Sequence, residues 1–167
     1  MARALVGKVL LHGDHVARIV ETEAYLGLAD AASHAFRGVT PRTGVLFGPP
    51  GHAYVYLIYG MYHCLNIVAE PEGSPGCVLI RALEVEGQPE ASGKGPGRLT
   101  RAMGITLRQN GADVTRGSLT VHAPSREAKF EVAVSPRIGI KHNVDWPLRF
   151  FVAGSRSVSG PRSFNRV

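Results

Sequence analysis

The run AYVYLIYGMYHCLNIVA, from Ala53 to Ala69, constrains this chain more than any other stretch. It is rich in tyrosine and β-branched residues, and Tyr59-Gly60-Met61 breaks it in the middle. Such residues around a glycine-bearing turn specify two antiparallel strands. A lone hairpin is marginal in water, so neighbouring segments must extend and cover it. They read that way. Val9–Leu11 and Val16–Leu26 flank a His12-Gly13-Asp14 turn, and Cys77–Val85 is an apolar strand. Leu119–His122, Phe130–Val134, Ile138–Ile140 and Leu148–Val152 follow as shorter strands. Helix signals are few. Asp30–Phe36 is alanine-rich, with Asp30 placed to cap it, and Arg98–Met103 is a short helix closed by Gly104. Glu86–Gly97 reads as a loop, and the Ser/Arg/Gly-rich tail from Gly154 is expected to fray. The spacing does not suit repeated βαβ units. The expectation is an α+β fold in a single domain over residues 1–167, a curved and mostly antiparallel sheet with short helices and a protruding β-hairpin.

Size and composition support one well-packed domain. A chain of 167 residues can bury roughly 70% of its unfolded surface. Its 44% apolar content excludes a disordered polymer. Cys64 and Cys77 are too few for a disulfide framework and sit in apolar runs, as buried free thiols do. No apolar stretch reaches the roughly 20 residues that span a bilayer, and no signal-peptide pattern opens the chain. The expectation is a soluble, intracellular protein with no membrane partner.

Charge narrows the partner. Residues 1–93 carry 6 basic and 9 acidic side chains, whereas residues 94–167 carry 13 basic and 4 acidic. Arginine accounts for 15 of the 19 basic residues, and its planar fork suits phosphate. A nucleic acid is the natural polyanion for such a half. A solvated basic surface explains the same numbers, so charge leaves both open.

Two segments carry candidate chemistry. In IVETEAY (Ile19–Tyr25), strand alternation sets Val20, Thr22, Ala24 and Leu26 on one face and Glu21, Glu23 and Tyr25 on the other. The second face is either an exposed strand surface or the seat of a carboxylate acting as a general base, and the segment does not choose between the two glutamates. The hairpin holds four of the five tyrosines, Tyr54, Tyr56, Tyr59 and Tyr62. A tyrosine at its tip suits a wedge between base pairs or a stacking platform, or else the four are ordinary cross-strand aromatics. Asn66 and Arg81 each interrupt an apolar strand. A buried amide needs hydrogen-bond partners, and a buried guanidinium needs an anion, for which Glu21 or Glu23 is the candidate. GKGPGRLTRAM (Gly93–Met103) is a Gly-rich turn entering a helix, a weak phosphate-binding signal. The seven histidines and two cysteines form no metal-ligand pattern, and no P-loop or nucleophile elbow is present.

Together these residues resemble the alkyladenine (3-methyladenine) DNA glycosylase family. The similar segments are RIVETEAYLG from Arg18, ASHAFRGVTPRTGVLFGPPGHAYVYLIYGMYHCLNIV from Ala32, GCVLIRALE from Gly76, GPGRL from Gly95, PRIGI from Pro136 and WPLRFFV from Trp146. They keep the family's order and cover most of the chain. The resemblance implies a monofunctional enzyme of base excision repair, without cofactor or metal. It implies a monomer that acts on double-stranded DNA containing damaged purines, flips the nucleotide out and hydrolyses its N-glycosidic bond. It places the general base on Glu23, with Arg81 beside the catalytic water and a backbone carbonyl of Ile138–Ile140 facing the same water. The base pocket falls on Tyr25, His34, Tyr56 and Asn66, with Tyr54 supporting His34, and Tyr59 fills the gap in the duplex. It implies a cytoplasmic, nucleoid-associated protein in a bacterium and a nuclear one otherwise. No lysine stands among these residues, which argues against Schiff-base lyase chemistry.

Two other classes compete. A non-enzymatic nucleic-acid-binding module explains the basic half and the tyrosines but gives no reason for a glutamate–arginine pair beside them. A sugar hydrolase using Glu21 and Glu23 needs its carboxylates on opposite sides of a ring, whereas residues i and i+2 of a strand stand side by side.

Overall fold

The computed structural model describes residues 1–126 and 128–165. A short helix α1 (Ala2–Leu5) precedes strands β1 (Val9–His12) and β2 (His15–Tyr25). Strands β3 (Ala53–Ile58), β4 (Tyr62–Val68) and β5 (Cys77–Val85) follow, then helix α2 (Pro96–Ala102). Strands β6 (Leu119–His122), β7 (Val132–Ser135) and β8 (Arg149–Val152) complete the chain's sheet. Its main order is β3-β4-β5-β2-β1-β6, with β8 joining β2 and β7 joining β8, and every pairing is antiparallel. The fold is α+β on one curled sheet, as the strand-rich sequence implies.

Strand β2 organises everything else. Its first half pairs with β1, and Glu21, Thr22 and Glu23 pair with β8, so the sheet forks along this strand. The ladder between β2 and β5 steps over Val20 on one strand and Arg81 on the other. A bulge adds twist and re-aims the residue it leaves unpaired. This revises the simple alternation. Val20 packs with Val6, Ala82 and Val152, whereas Ala24 packs against the cluster that contains Ala17 and Ile19. Beyond the bulge the period of two resumes, and Glu21, Glu23 and Tyr25 share one face.

The main core lies between the sheet and α2, where Leu99 and Met103 meet Val55, Leu65, Ile67, Val78, Ile80 and Leu83. Each such side chain contributes about 1.5–3 kcal/mol on leaving water. Gly97 lets α2 approach the hairpin. A Cβ there would lie 2.8 Å from the Tyr62 ring, so only glycine allows the ring to rest on the helix.

Four segments differ from their sequence expectations. Asp30 does not cap the alanine-rich segment it opens; its N–H closes a preceding 3-10 turn, Gly27–Ala29. A 3-10 turn at His34–Arg37 is capped by Ser33 Oγ, which accepts the Ala35 N–H, and Asp30 is instead buried against Arg137. Ile138–Ile140 is not a strand but part of a strap between β7 and β8, because the Ile138 amide and carbonyl bond to side chains rather than to a ladder. The Glu86–Gly97 loop holds a 3-10 turn at Glu90–Gly93, and α2 begins within it at Pro96. The tail does not fray through Asn165. Ser157, Val158 and Ser159 are buried, and Arg162–Asn165 form a 3-10 turn. Arg166 and Val167, the tail's last positions, lie outside the described residues.

Candidate active site

The ends of β2, β3 and β4, the Ala31–His34 turn and the strap enclose a cleft of about 260 Å³. Tyr25, His34, Tyr54, Tyr56 and Asn66 line it, joined by Ile58, Cys77 and the strap residues Gly139, Ile140, Lys141 and His142. Residues predicted from distant segments therefore meet in one place. The aromatic members brace each other. His34 Nδ1 and the Tyr54 hydroxyl share a hydrogen bond of 3.0 Å, and the His34 and Tyr56 rings meet edge to face with centroids 4.5 Å apart. The Tyr54 ring tilts against Tyr56 at 5.4 Å. Burial, aided by the nearby Arg42 charge, pushes the His34 pKa down, so its ring is neutral at pH 7.

Asn66 is fixed from behind. Its Nδ2 donates to the Tyr54 carbonyl at 3.1 Å, and its Oδ1 faces the Cys77 thiol at 3.9 Å. A single Nδ2 hydrogen stays free for a ligand. The thiols of Cys64 and Cys77 are free and buried, and burial pushes the Cys77 thiol up to about 12, leaving it unreactive at neutral pH.

Glu23 has no exposed surface and does not itself line the cleft; Tyr25 stands between them. The Tyr25 hydroxyl donates to Glu23 Oε2 at 3.0 Å, and the Ile138 N–H donates to Oε1 at 2.7 Å. Arg81 Nη1 lies 3.3 Å from the same Oε1 and donates to the Ile138 carbonyl at 3.3 Å. Three of the carboxylate's four lone-pair sites are thus engaged, and one on Oε2 remains for water. Burial pushes the Glu23 pKa up, against the opposing pull of Arg81, the Ile138 N–H and the Tyr25 hydroxyl. Arg81 also faces Glu21, so both glutamates share the one guanidinium.

Tyr59 stands apart from this cluster. It sits at the hairpin tip, 84% exposed, with a left-handed φ of 52° that a tyrosine seldom adopts. Leu57, Met61 and Tyr62 add exposed apolar surface on either side.

The structure adds residues that the motifs did not single out. Arg137 places its guanidinium 4.6 Å from the Tyr25 ring centroid, bonds the Ala24 carbonyl and grips Asp30, which Asn143 also holds. Its neighbour in sequence is Ile138, so this pair anchors the strap that holds Glu23. Arg42 lies 5.0 Å above the Tyr56 ring. Lys141 lines the cleft and corrects the expectation that no lysine does. An arginine between proline and isoleucine, as Arg137 is, was the available signal of a buried cation needing an anion.

Comparison with known proteins bears on the same segments. The family model described as methylpurine-DNA glycosylase matches residues 1–156. A relative from Anaeromyxobacter dehalogenans (strain 2CP-C) is 50% identical over 172 residues, covering 96% of this chain and 81% of its own. One from Frankia casuarinae is 44% identical over 185 residues, covering 97% of this chain and 87% of its own. One from Legionella pneumophila (strain Corby) is 43% identical over 166 residues, covering 95% and 91%. All three are provisionally named 3-methyladenine DNA glycosylase. With the match reaching from α1 through β8, the chain belongs to the methylpurine-DNA glycosylase family.

Proposed function

We propose that this protein is a monofunctional DNA glycosylase of base excision repair. It flips alkylated or deaminated purines (3-methyladenine, 7-methylguanine, hypoxanthine, ethenoadenine) out of duplex DNA and hydrolyses their N-glycosidic bonds. The observation that carries this is Glu23: a carboxylate buried behind an aromatic cleft, held at three of its four acceptor sites, with one acceptor site on Oε2 unused.

A base inside a duplex is out of reach of such a cleft, and unstacking and unpairing it costs a few kcal/mol. Tyr59 at the exposed hairpin tip offsets part of that cost by filling the vacated stack. Tyr25, His34 and Tyr56 then hold the purine by its faces, worth about 1–3 kcal/mol per good stack whatever the lesion. The free Asn66 N–H leaves no acceptor for a 2-amino group, which disfavours guanine. At the sugar, the C1′–N bond lengthens and its electron pair departs with the purine. A water on Glu23 Oε2 adds its oxygen to C1′ and yields its proton to the carboxylate, whose charge also steadies the oxocarbenium-like transition state. Arg81 and the Ile138 amide fix that carboxylate, and the Ile138 carbonyl stands beside them as a second acceptor for the water. An alkylated, cationic purine leaves as a neutral base, whereas a neutral one must gain a proton as it departs. The protein acts as a monomer, in the cytoplasm at the nucleoid of a bacterium or in a nucleus.

Single-turnover excision on duplexes bearing one deoxyinosine, ethenoadenine or 3-methyladenine tests the reading, with wild type and Glu23→Gln compared. Alkali-labile sites from wild type alone support it. Tight binding without abasic sites from any lesion indicates a binding module instead.

A further inference from the structure

The family match ends at Arg156, and the segment beyond it closes directly over the buried charges behind Glu23. Glu21 is fully buried there. Its Oε1 accepts Arg149 Nε at 2.6 Å, and its Oε2 accepts the Ser159 N–H at 2.7 Å. Arg81 Nε lies 3.3 Å from Glu21 Oε1 and donates to Ser159 Oγ at 3.2 Å. Every N–H of Arg149 is used: beyond Glu21, its Nη atoms donate to Ser135 Oγ, the Phe164 and Ser159 carbonyls and Asn165 Oδ1, at 2.7–3.3 Å. The same segment touches the strap. Gly160 lies so close to Ile138 that a Cβ there would sit 2.7 Å from Ile138 Cδ1.

We propose that the segment Ser157–Asn165 is a working part of the site, with Ser159 as the positioning residue that keeps Arg81 on Glu23 against the competing carboxylate of Glu21. The proposal rests on Glu23 being the base. The logic is competition. Two buried carboxylates face one guanidinium, and whichever is less satisfied takes more of it. Arg149 and the Ser159 amide occupy Glu21 from the far side, while Ser159 Oγ takes the Nε hydrogen of Arg81. The Nη1 edge of Arg81 is thereby left to Glu23 and the Ile138 carbonyl. A network with every donor matched holds one arrangement, whereas a partly matched one does not. The groups that set the charge of Glu23 are Glu21 and Tyr25 on β2, Arg81 on β5, Arg149 on β8, the Ile138 amide on the strap, and the Arg137–Asp30 pair behind Tyr25.

Opposite effects follow from two changes. Glu21→Gln removes a neighbouring negative charge and lowers the Glu23 pKa. Ser159→Ala frees Arg81 to turn towards Glu21 and raises it. Full-length wild type and both variants are compared by single-turnover excision of deoxyinosine from pH 5 to 9, by duplex affinity and by Tm. The Glu23 carboxyl is also titrated by carbon-13 NMR, assigned through its loss in Glu23→Gln. Ser159→Ala is expected to slow excision at pH 7 about three- to tenfold with its acid limb moved up, its Kd within about twofold, and its rate restored in Ser159→Thr. Glu21→Gln is expected to move the acid limb down even as its Tm falls. A Glu23 titration unmoved in Ser159→Ala overturns the proposal, whatever the Tm and whatever Glu21→Gln shows, because the latter moves Glu23 by charge alone. A wild type that excises nothing, with both NMR shifts as expected, leaves the positioning role standing and removes the glycosylase reading.

Discussion

Asp30 and Arg137 are 107 positions apart in sequence and meet as a fully buried ion pair, with Nη2 donating to Oδ1 at 3.0 Å. Their contact joins the turn after β2 to the strap, and the strap carries the amide that holds Glu23. Burial alone pushes the Asp30 pKa up, but Arg137, Asn143 and the N–H groups of Ala32 and Leu26 outweigh it and hold the carboxyl at about 2. Asp30→Asn strands a buried guanidinium and is expected to destabilise the fold by roughly 3–5 kcal/mol. A carboxyl with a depressed folded pKa lends stability above its unfolded value, near 4, and withdraws it as pH falls through about 2. Urea melts of both proteins should therefore differ fully at pH 6, and the gap should narrow by about 2 kcal/mol between pH 4 and 2. A constant gap down to pH 2 would contradict the pairing.

Glu23 has the opposite sign. Its folded pKa is raised, so the ionised form is the one the fold disfavours. The penalty is absent below the unfolded pKa, near 4.3, and complete above the folded one. Glu23→Gln should be inactive yet more stable than wild type at pH 8, with Tm higher by about 2–4 °C for each kcal/mol relieved. The difference should fade towards pH 4. Calorimetry at both pH values checks it, and an equal or lower Tm at pH 8 would show that Arg81 needs the charge more than burial opposes it.

What the sequence made legible follows from what periodicity and burial report. The hairpin announces itself through tyrosines and a glycine turn, and Arg81 in an apolar strand demands an anion on the neighbouring glutamate-bearing strand. Both are local signals. The bulges at Val20 and Arg81 leave no mark in hydrophobic alternation, so the face assigned to Val20 changes. Ile138–Ile140 is apolar enough for a strand, yet its amide and carbonyl serve Glu23 and Arg81. The tail has a loop's composition, but the Ser159 N–H and carbonyl satisfy Glu21 and Arg149, and backbone donors are invisible in composition. Asp30 and Arg137 escape because pairing across 107 positions depends on the whole fold.

Tyr59 offers a test that separates stability from function. Its backbone is left-handed and its ring is exposed, so the fold gains almost nothing from the side chain. Tyr59→Gly relieves strain of order 1 kcal/mol and loses a similar amount to a more flexible unfolded chain. Tm is expected to stay within about 2–4 °C of wild type. Flipping should weaken, most for well-paired lesions, read as reduced 2-aminopurine fluorescence beside the lesion. Equal fluorescence in both proteins removes Tyr59 from that role.

Lys141 bears on which purines the cleft prefers. It lines the cavity, Arg42 stands 5.0 Å over Tyr56, and His34 is neutral, so the nearest ring faces are flanked by positive charge. Aromatic faces attract a cationic purine by roughly 0.5–2 kcal/mol. Lys141 is exposed, so water screens its ammonium, and the opposition is about 1 kcal/mol for charges roughly 4 Å apart. Lys141→Gln should therefore raise excision of 7-methylguanine relative to hypoxanthine about fivefold, because the cationic base loses a repulsion while the glutamine amide keeps an N–H donor for the neutral one. Single-turnover rates on the two lesions in matched duplexes measure the ratio. A uniform loss on both, with a shallower salt dependence of binding, would instead assign Lys141 to a phosphate of the DNA backbone.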